Sequence, residues 1–175
     1  FQLNENNFNE AMKNIDTIHD PEIKSYYTAM ILEKQGKNAD SIKEYEKLFN
    51  GKKYKDFAGM KLGAYYYDKK QYDKAKTYYV EMDKLENSKY KDFVLFQLAN
   101  INEIQGKNKE AFRGYTKGYV MYKGQYSTIS KFKAAQVAEK LNMEKDAEKL
   151  YRELYSQEKF EHKKFVLEKL IYFAL

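Results

Sequence analysis

The sequence has 175 residues, 43% of them hydrophobic, so it is long enough to bury one sizeable core or to form one elongated array. It contains no cysteine, which excludes disulfides, thiolate catalysis and zinc–thiolate sites, and its single proline argues against a loop-rich β-sandwich. The net charge is +6, but the basic residues are scattered among 26 acidic ones. This favours a solvated helical surface over a basic surface that binds phosphates. No apolar run reaches the roughly 18 residues needed to span a bilayer.

Ten helices are predicted along the chain by apolar residues at helical spacing. Asp20-Pro21-Glu22 marks one start, since proline suits the first helical position. In the turn at residues 35–38, Gly36 suits the left-handed residue that ends a helix and Asn38 suits the cap of the next. The same four letters recur at 105–108, so Asn108 is predicted as a cap too. We expect helices near residues 5–18, 22–35, 38–50, 54–69, 72–85, 90–105, 108–122, 126–141, 144–156 and 158–174.

The helices form a repeat. The pentapeptide KYKDF occurs at residues 53–57 and again 36 residues later, and QGKN recurs after 70 residues, which is one step of 34 plus one of 36. The same steps align a small residue in the first helix of each pair, a small residue in the second helix, and a tyrosine four residues after it. Small residues let the two helices approach closely while the tyrosine fills the groove beside them. The three columns are Ala29, Gly63, Ala99 and Ala135; Ser41, Ala75, Ala111 and Ala147; and Tyr45, Tyr79, Tyr115 and Tyr151.

This pattern resembles the tetratricopeptide repeat family. The matching residues are Leu62-Gly63, Tyr66, Ala75 and Tyr79 in one unit, and Leu98-Ala99, Gly106, Ala111 and Tyr115 in the next. The usual leucine is replaced by Thr28 in the first unit and by Ala134 in the fourth. The resemblance implies an all-α fold, a right-handed α-solenoid of antiparallel helix pairs with about ten helices. Residues 1–175 would form one such domain, with about four repeats and a half repeat at each end. The 36-residue spacing is similar to that of a bacterial envelope subgroup, the outer-membrane assembly lipoproteins and cell-division coordinators.

The resemblance also implies that the first helix of each pair lines a concave face. Residues at i, i+4 and i+7 of these helices lie on one side of the helix. The residue at i is mostly apolar, the residue at i+4 is mostly an amide or a small residue, and the residue at i+7 is acidic or a tyrosine. We expect a peptide-binding groove lined by Tyr26, Met30, Met60, Tyr67, Phe96, Asn100, Glu103, Phe132, Gln136 and Glu139. The amides would bind a peptide backbone, and the acids would favour a basic partner. The alternative is that the methionines and aromatic rings pack adjacent repeats together and the glutamates are solvated.

No catalytic residue, cofactor or metal is expected, and so no enzymatic activity. The two histidines lie at opposite ends of the predicted array, with His19 expected in a turn and His162 exposed, and no HExxH motif or glycine-rich phosphate loop occurs. A two-carboxylate clamp for peptide C termini, which the resemblance would allow, is not expected, because Phe96 stands where a lysine is needed one turn before Asn100.

The predicted function is a non-enzymatic scaffold that binds a peptide segment of a partner protein in the groove. The alternative is a structural module of the bacterial envelope that self-associates through its open ends into a homo-oligomer, without a specific groove ligand. Residues 170–175 are mostly apolar, so we expect the chain to continue, or two copies to meet end to end. Binding of single-stranded RNA by exposed tyrosines is a third hypothesis, which the scattered lysines disfavour. A periplasmic or envelope location and a cytoplasmic one both fit the sequence.

Overall fold

The computed structural model describes residues 5–158 and 160–174, and in this part of the chain it contains ten helices and no strand. The predicted all-α fold is therefore confirmed, and every helix but the last lies within two residues of its predicted bounds. The helices are α1 (Glu5–Asp16), α2 (Pro21–Lys34), α3 (Asn38–Asn50), α4 (Lys55–Asp68), α5 (Tyr72–Asp83), α6 (Lys91–Ile104), α7 (Asn108–Met121), α8 (Ser127–Lys140), α9 (Glu144–Tyr155) and α10 (Lys163–Ala174).

The helices are grouped into two compact units, Phe1–Ser88 and Lys89–Leu175. In the first unit each helix from α1 to α5 packs against the next one along the chain, and in the second unit the same holds from α6 to α10, with α6 also contacting α8. We call α2, α4, α6, α8 and α10 the first helices, and α3, α5, α7 and α9 the second helices. Packing between sequence neighbours is the arrangement that a repeat of helix pairs requires.

The columns recognised in the sequence form the core of each unit. The small residues of the first helices are all buried, and the four tyrosines of the second helices are at most 1% exposed. The tyrosine rings lie directly against the first helices: a Cβ atom added to Gly63 would be only 2.4 Å from Cε1 of Tyr79. Each pair is therefore held together by a ring packed beside a small residue.

The turn inside each helix pair has the same form four times. Gly36 and Gly106 adopt left-handed backbone angles, with φ of 72° and 73°, as predicted. Lys70 and Asn142, at the same position in the other two pairs, also have a positive φ of 57°. In every case the next amide donates to the carbonyl five residues before it, at 2.8 to 2.9 Å, which closes the helix end. The sequence did not reveal Lys70 or Asn142 because neither is a glycine.

The start of α2 is as predicted, whereas the predicted caps of α3 and α7 are wrong. Pro21 is the first residue of α2, and Asp20 caps the helix by accepting from two backbone amides. Asn38 and Asn108 are themselves the first helical residues, and the cap positions are held by lysines whose side chains make no capping hydrogen bond. The reason is visible at Lys37, whose carbonyl already accepts from the amide of Ser41 at 3.0 Å, so the helix begins one residue earlier than expected.

The last helix begins at Lys163 rather than near residue 158. The chain turns first because Phe160 is buried, with its ring centroid 5.5 Å from that of Phe132 and 5.6 Å from that of His162. Lys159, which the predicted helix includes, and Leu175 lie outside the described residues.

Candidate functional site

The ten residues predicted to line a groove lie on the first helices of the two units. In the first unit they are Tyr26 and Met30 on α2 and Met60 and Tyr67 on α4; in the second they are Phe96, Asn100 and Glu103 on α6 and Phe132, Gln136 and Glu139 on α8. All are half-buried except Phe132, which is 7% exposed. Because α6 contacts α8, the second unit brings six of the ten onto neighbouring helices.

The carboxylate of Glu103 is occupied by partners within the second unit. Its Oε2 accepts from the hydroxyl of Tyr115 at 2.9 Å and its Oε1 accepts from the ammonium of Lys140 at 2.5 Å, while the ammonium of Lys133 lies 3.5 Å away. Its side chain is only 10% exposed. Burial opposes ionisation of this group, but the hydrogen bonds from Lys140 and Tyr115 outweigh burial and hold the pKa of Glu103 below its usual value.

The same tyrosine–glutamate–lysine group occurs at two other levels of the repeat. Its members are Tyr45, Glu33 and Lys61 in the first unit, and Tyr151, Glu139 and Lys169 in the second. In each group the tyrosine comes from the second helix of the pair, and the lysine from the next first helix. Burial, reinforced by the adjacent carboxylate, raises the pKa of Tyr45 and of Tyr151, so both phenols stay protonated and donate to the glutamate.

The pair α4–α5 lacks both charged members of this group. In the repeat alignment Tyr67 takes the place of the glutamate and Gln97 that of the lysine, whereas the tyrosine is kept as Tyr79. A carboxylate or ammonium that is partly buried without its partner is costly, so the two charges are expected to be kept or lost together. The glutamates of the predicted face are thus part of the packing between helices, and the lysines that bind them were not predicted from the sequence.

Three aromatic residues of the predicted face pack against the ring that directly precedes the following first helix. The pairs are Tyr26–Tyr54, with 4.5 Å between ring centroids, Phe96–Tyr126 with 5.3 Å, and Phe132–His162 with 5.0 Å. Tyr54, Tyr126 and His162 hold the same position in the repeat, which is the tyrosine of KYKDF in the first copy. His162 is exposed, as predicted, but its ring lies nearly parallel to that of Phe132, at 14°.

The middle positions of the face carry two amides. Gln136 is half-buried and forms no hydrogen bond with any residue in the described part of the chain, and its amide atoms are not among the buried unpaired ones, so the amide group is accessible to a ligand. Asn100 holds the same position on α6 and accepts a long hydrogen bond of 3.4 Å from Tyr115. A primary amide both donates and accepts, which matches the alternating groups of a peptide backbone.

A second candidate site is a cleft of about 450 Å³ in the first unit, formed by α3, α4 and α5. The rings of Phe49, Tyr66 and Tyr78 line it together with Glu46 and Lys74. Sequence reasoning missed this cleft because none of these residues lies on the predicted face, and each fits an ordinary position on an amphipathic helix.

Within the described ranges, no three or more histidine, aspartate or glutamate side chains come together as a metal site. None of the helices over those residues has the length and apolar character needed to cross a membrane.

The sequence matches no family model and no curated protein. Any function proposed for the chain therefore rests on its own residues.

Proposed function

We propose that the chain is a tetratricopeptide-like, right-handed α-solenoid that acts as a non-enzymatic scaffold and binds a peptide segment of a partner protein along its first helices. The support is the repeat itself: helix pairs at steps of 34 and 36 residues, each closed by the same left-handed turn and packed through the same small-residue and tyrosine columns. Such repeats present the same side-chain positions on successive helices, and an extended segment of another chain can follow them.

The observation that carries this proposal is the accessible amide of Gln136. It lies one turn after Phe132, which is fixed by its ring stack, and one turn before Lys140, which is fixed by Glu103. Because these two neighbouring side chains are already fixed, a peptide backbone that binds the amide does not have to immobilise them. This limits the entropic cost of binding. Glu103 and Glu139 already bind lysines of the same unit, so the proposal assigns this face no preference for a basic partner.

The test is selection of binders from a peptide display library on the whole chain. We expect selected peptides to lose about tenfold in affinity for Gln136→Ala, which corresponds to about 1.4 kcal/mol. Gln125→Ala is the matched control, because Gln125 is an exposed amide of the same unit that lies outside the first helices. The proposal fails if no peptide is selected, or if the two variants bind the selected peptides equally well.

A second function, self-association into a structural assembly, is favoured by α10. Ile171 is 54% exposed, whereas the residues at its position in α2, α4, α6 and α8 are alanine or glycine and are buried under a second helix. Leu167 and Tyr172 extend the same exposed face. Exposed apolar patches mark protein contacts, so two copies would associate through this face.

Light scattering over a range of concentrations tests this second function. The apparent mass of the wild type should rise with concentration, and Ile171→Glu should abolish the rise. Val120→Glu is the control, because Val120 is 60% exposed on α7, away from that face. A wild-type mass that stays at that of one chain over the whole range would rule out this function.

A further inference from the structure

The cleft between α3, α4 and α5 is walled by aromatic rings. The rings of Tyr66 and Tyr78 are parallel, with 3° between their planes and 5.6 Å between their centroids, and Phe49 meets Tyr78 edge-on at 5.0 Å. All three residues are half-buried, so the cleft is open to solvent. Its volume of about 450 Å³ falls within the range of roughly 300–1,000 Å³ that small-molecule sites occupy.

The cleft also contains a carboxylate without a cationic partner. Glu46 forms no ion pair with any residue that the structure describes; its side chain is contacted by the hydroxyl of Tyr66 at 3.4 Å. By contrast, its neighbour Glu44 on the same helix pairs with Lys47 at 2.6 Å. A half-buried carboxylate beside apolar rings is less well solvated than one in water, and it therefore attracts a positive group more strongly.

One cation of the protein itself already lies against these rings. The ammonium of Lys74 is 5.3 Å from the centroid of the Tyr66 ring, within the roughly 6 Å over which a ring face attracts a cation. Lys74 is an exposed residue with a flexible side chain, so its ammonium can leave the ring when another cation arrives. Burial, followed by the charge of Glu46, raises the pKa of Tyr66, so this wall of the cleft stays uncharged at neutral pH.

We infer that the cleft binds an organic cation, an alkylammonium or guanidinium group, between the Glu46 carboxylate and the rings of Tyr66 and Tyr78. The bound cation takes the place of the Lys74 ammonium, which acts as an internal competitor. This site lies in the first unit and does not depend on the peptide-binding face of α6 and α8. A failure of either proposal therefore leaves the other standing.

The experiment uses choline chloride as the probe and the backbone amides of α5 as the readout, by NMR titration of the whole chain at constant ionic strength. The control ligand is 3,3-dimethyl-1-butanol, which has the shape of choline without its charge. We expect choline to shift the amides around Tyr78 with saturation, and the neutral alcohol to leave them unchanged. Equal responses to the two ligands, or no response to choline, would overturn the inference.

Two variants test the residues that the inference names. Glu46→Gln, which keeps the size of the side chain, should weaken choline binding at least fivefold, while Glu44→Gln on the same helix should leave it unchanged. Lys74→Ala should tighten binding several-fold, because it removes the internal competitor. A Glu46→Gln variant that keeps its thermal transition and binds choline like the wild type would refute the role of the carboxylate, and a Lys74→Ala variant with unchanged or weaker binding would refute the competition.

Discussion

The hydroxyl of Tyr115 donates a hydrogen bond of 2.9 Å to the carboxylate of Glu103 and thereby joins α7 to α6. The two residues are 12 positions apart, and the same spacing separates the tyrosine and the glutamate of the other two tyrosine–glutamate–lysine groups. The bond is therefore a property of the repeat. Since the glutamate also binds a lysine of the next first helix, one carboxylate connects three helices of its unit.

Replacing Glu103 by glutamine should destabilise the chain by about 1.5–3 kcal/mol at pH 7, because the ammonium groups of Lys133 and Lys140 lose their carboxylate. The effect should depend on pH. The pKa of Glu103 is lowered by folding, so its stabilisation is fully present above the unfolded-state pKa of about 4.3 and is lost as the pH falls through the folded value. Urea unfolding of the wild type and the variant should show their difference shrinking between pH 7 and pH 3.

The control for this measurement is Glu161→Gln, which changes an exposed carboxylate of the same unit. We expect it to alter the free energy of unfolding by no more than about 0.5 kcal/mol. A difference between Glu103→Gln and wild type that is the same at pH 3 and pH 7 would contradict the role of the ionised group.

The fold could be predicted because the packing within each helix pair depends on a few residues at fixed positions. A small residue such as Ala99 and a tyrosine such as Tyr115 must recur at fixed steps if successive pairs are to pack in the same way, and these steps are visible in the sequence. The left-handed turns were visible only where the residue is glycine. Lys70 adopts the left-handed angle of this turn, in which the amide of Gln71 donates to the carbonyl of Tyr66, against the preference of a residue with a Cβ atom, and no local pattern indicates this.

The candidate site could be predicted less well, because helical spacing does not tell which partner a side chain has. Glu103 and Phe132 were predicted to line the same groove as Gln136, but a lysine on another helix binds the first and a histidine beyond α8 covers the second. These partners are 37 and 30 residues away along the chain. Only the packed structure distinguishes the amide that is still accessible from neighbours that already have partners.

Replacing Lys70 by glycine should stabilise the chain by about 0.5–1 kcal/mol. Lys70 has a φ of 57°, a conformation that costs a residue with a Cβ atom about 1–2 kcal/mol, and the flexibility that glycine adds to the unfolded chain offsets only part of the gain. Thermal unfolding followed by circular dichroism measures the change. Lys69→Gly is the control: its φ is −77°, so glycine there should lower the transition temperature. A destabilised Lys70→Gly variant would show that the turn is held by contacts of the lysine side chain instead.

Replacing Gly63 by alanine should destabilise the chain by about 1 kcal/mol, although alanine is the better helix former by a similar amount. The added Cβ atom would lie 2.4 Å from the ring of Tyr79, which is fully buried, and overpacking of this kind costs about 1–3 kcal/mol. A double-mutant cycle with Tyr79→Leu, measured by urea unfolding, isolates the contact. In the Tyr79→Leu background the alanine should no longer be unfavourable. An equal cost in both backgrounds would place the clash elsewhere.

Replacing Phe132 by alanine should destabilise the chain by about 3–5 kcal/mol, because its ring is 7% exposed and contacts the rings of Phe160, His162 and Phe165. The loss should be measured as the free energy of unfolding in urea, without any ligand. Tyr172→Ala is the control, since that ring belongs to the same unit and is 70% exposed, and its removal should change stability by no more than about 0.5 kcal/mol. If Phe132→Ala were as stable as Tyr172→Ala, the ring would be free to contact a ligand. Because Phe132→Ala is expected to lose so much stability, a loss of peptide binding in this variant would not distinguish a lost contact from a destabilised fold. Gln136→Ala is therefore the variant that tests recognition.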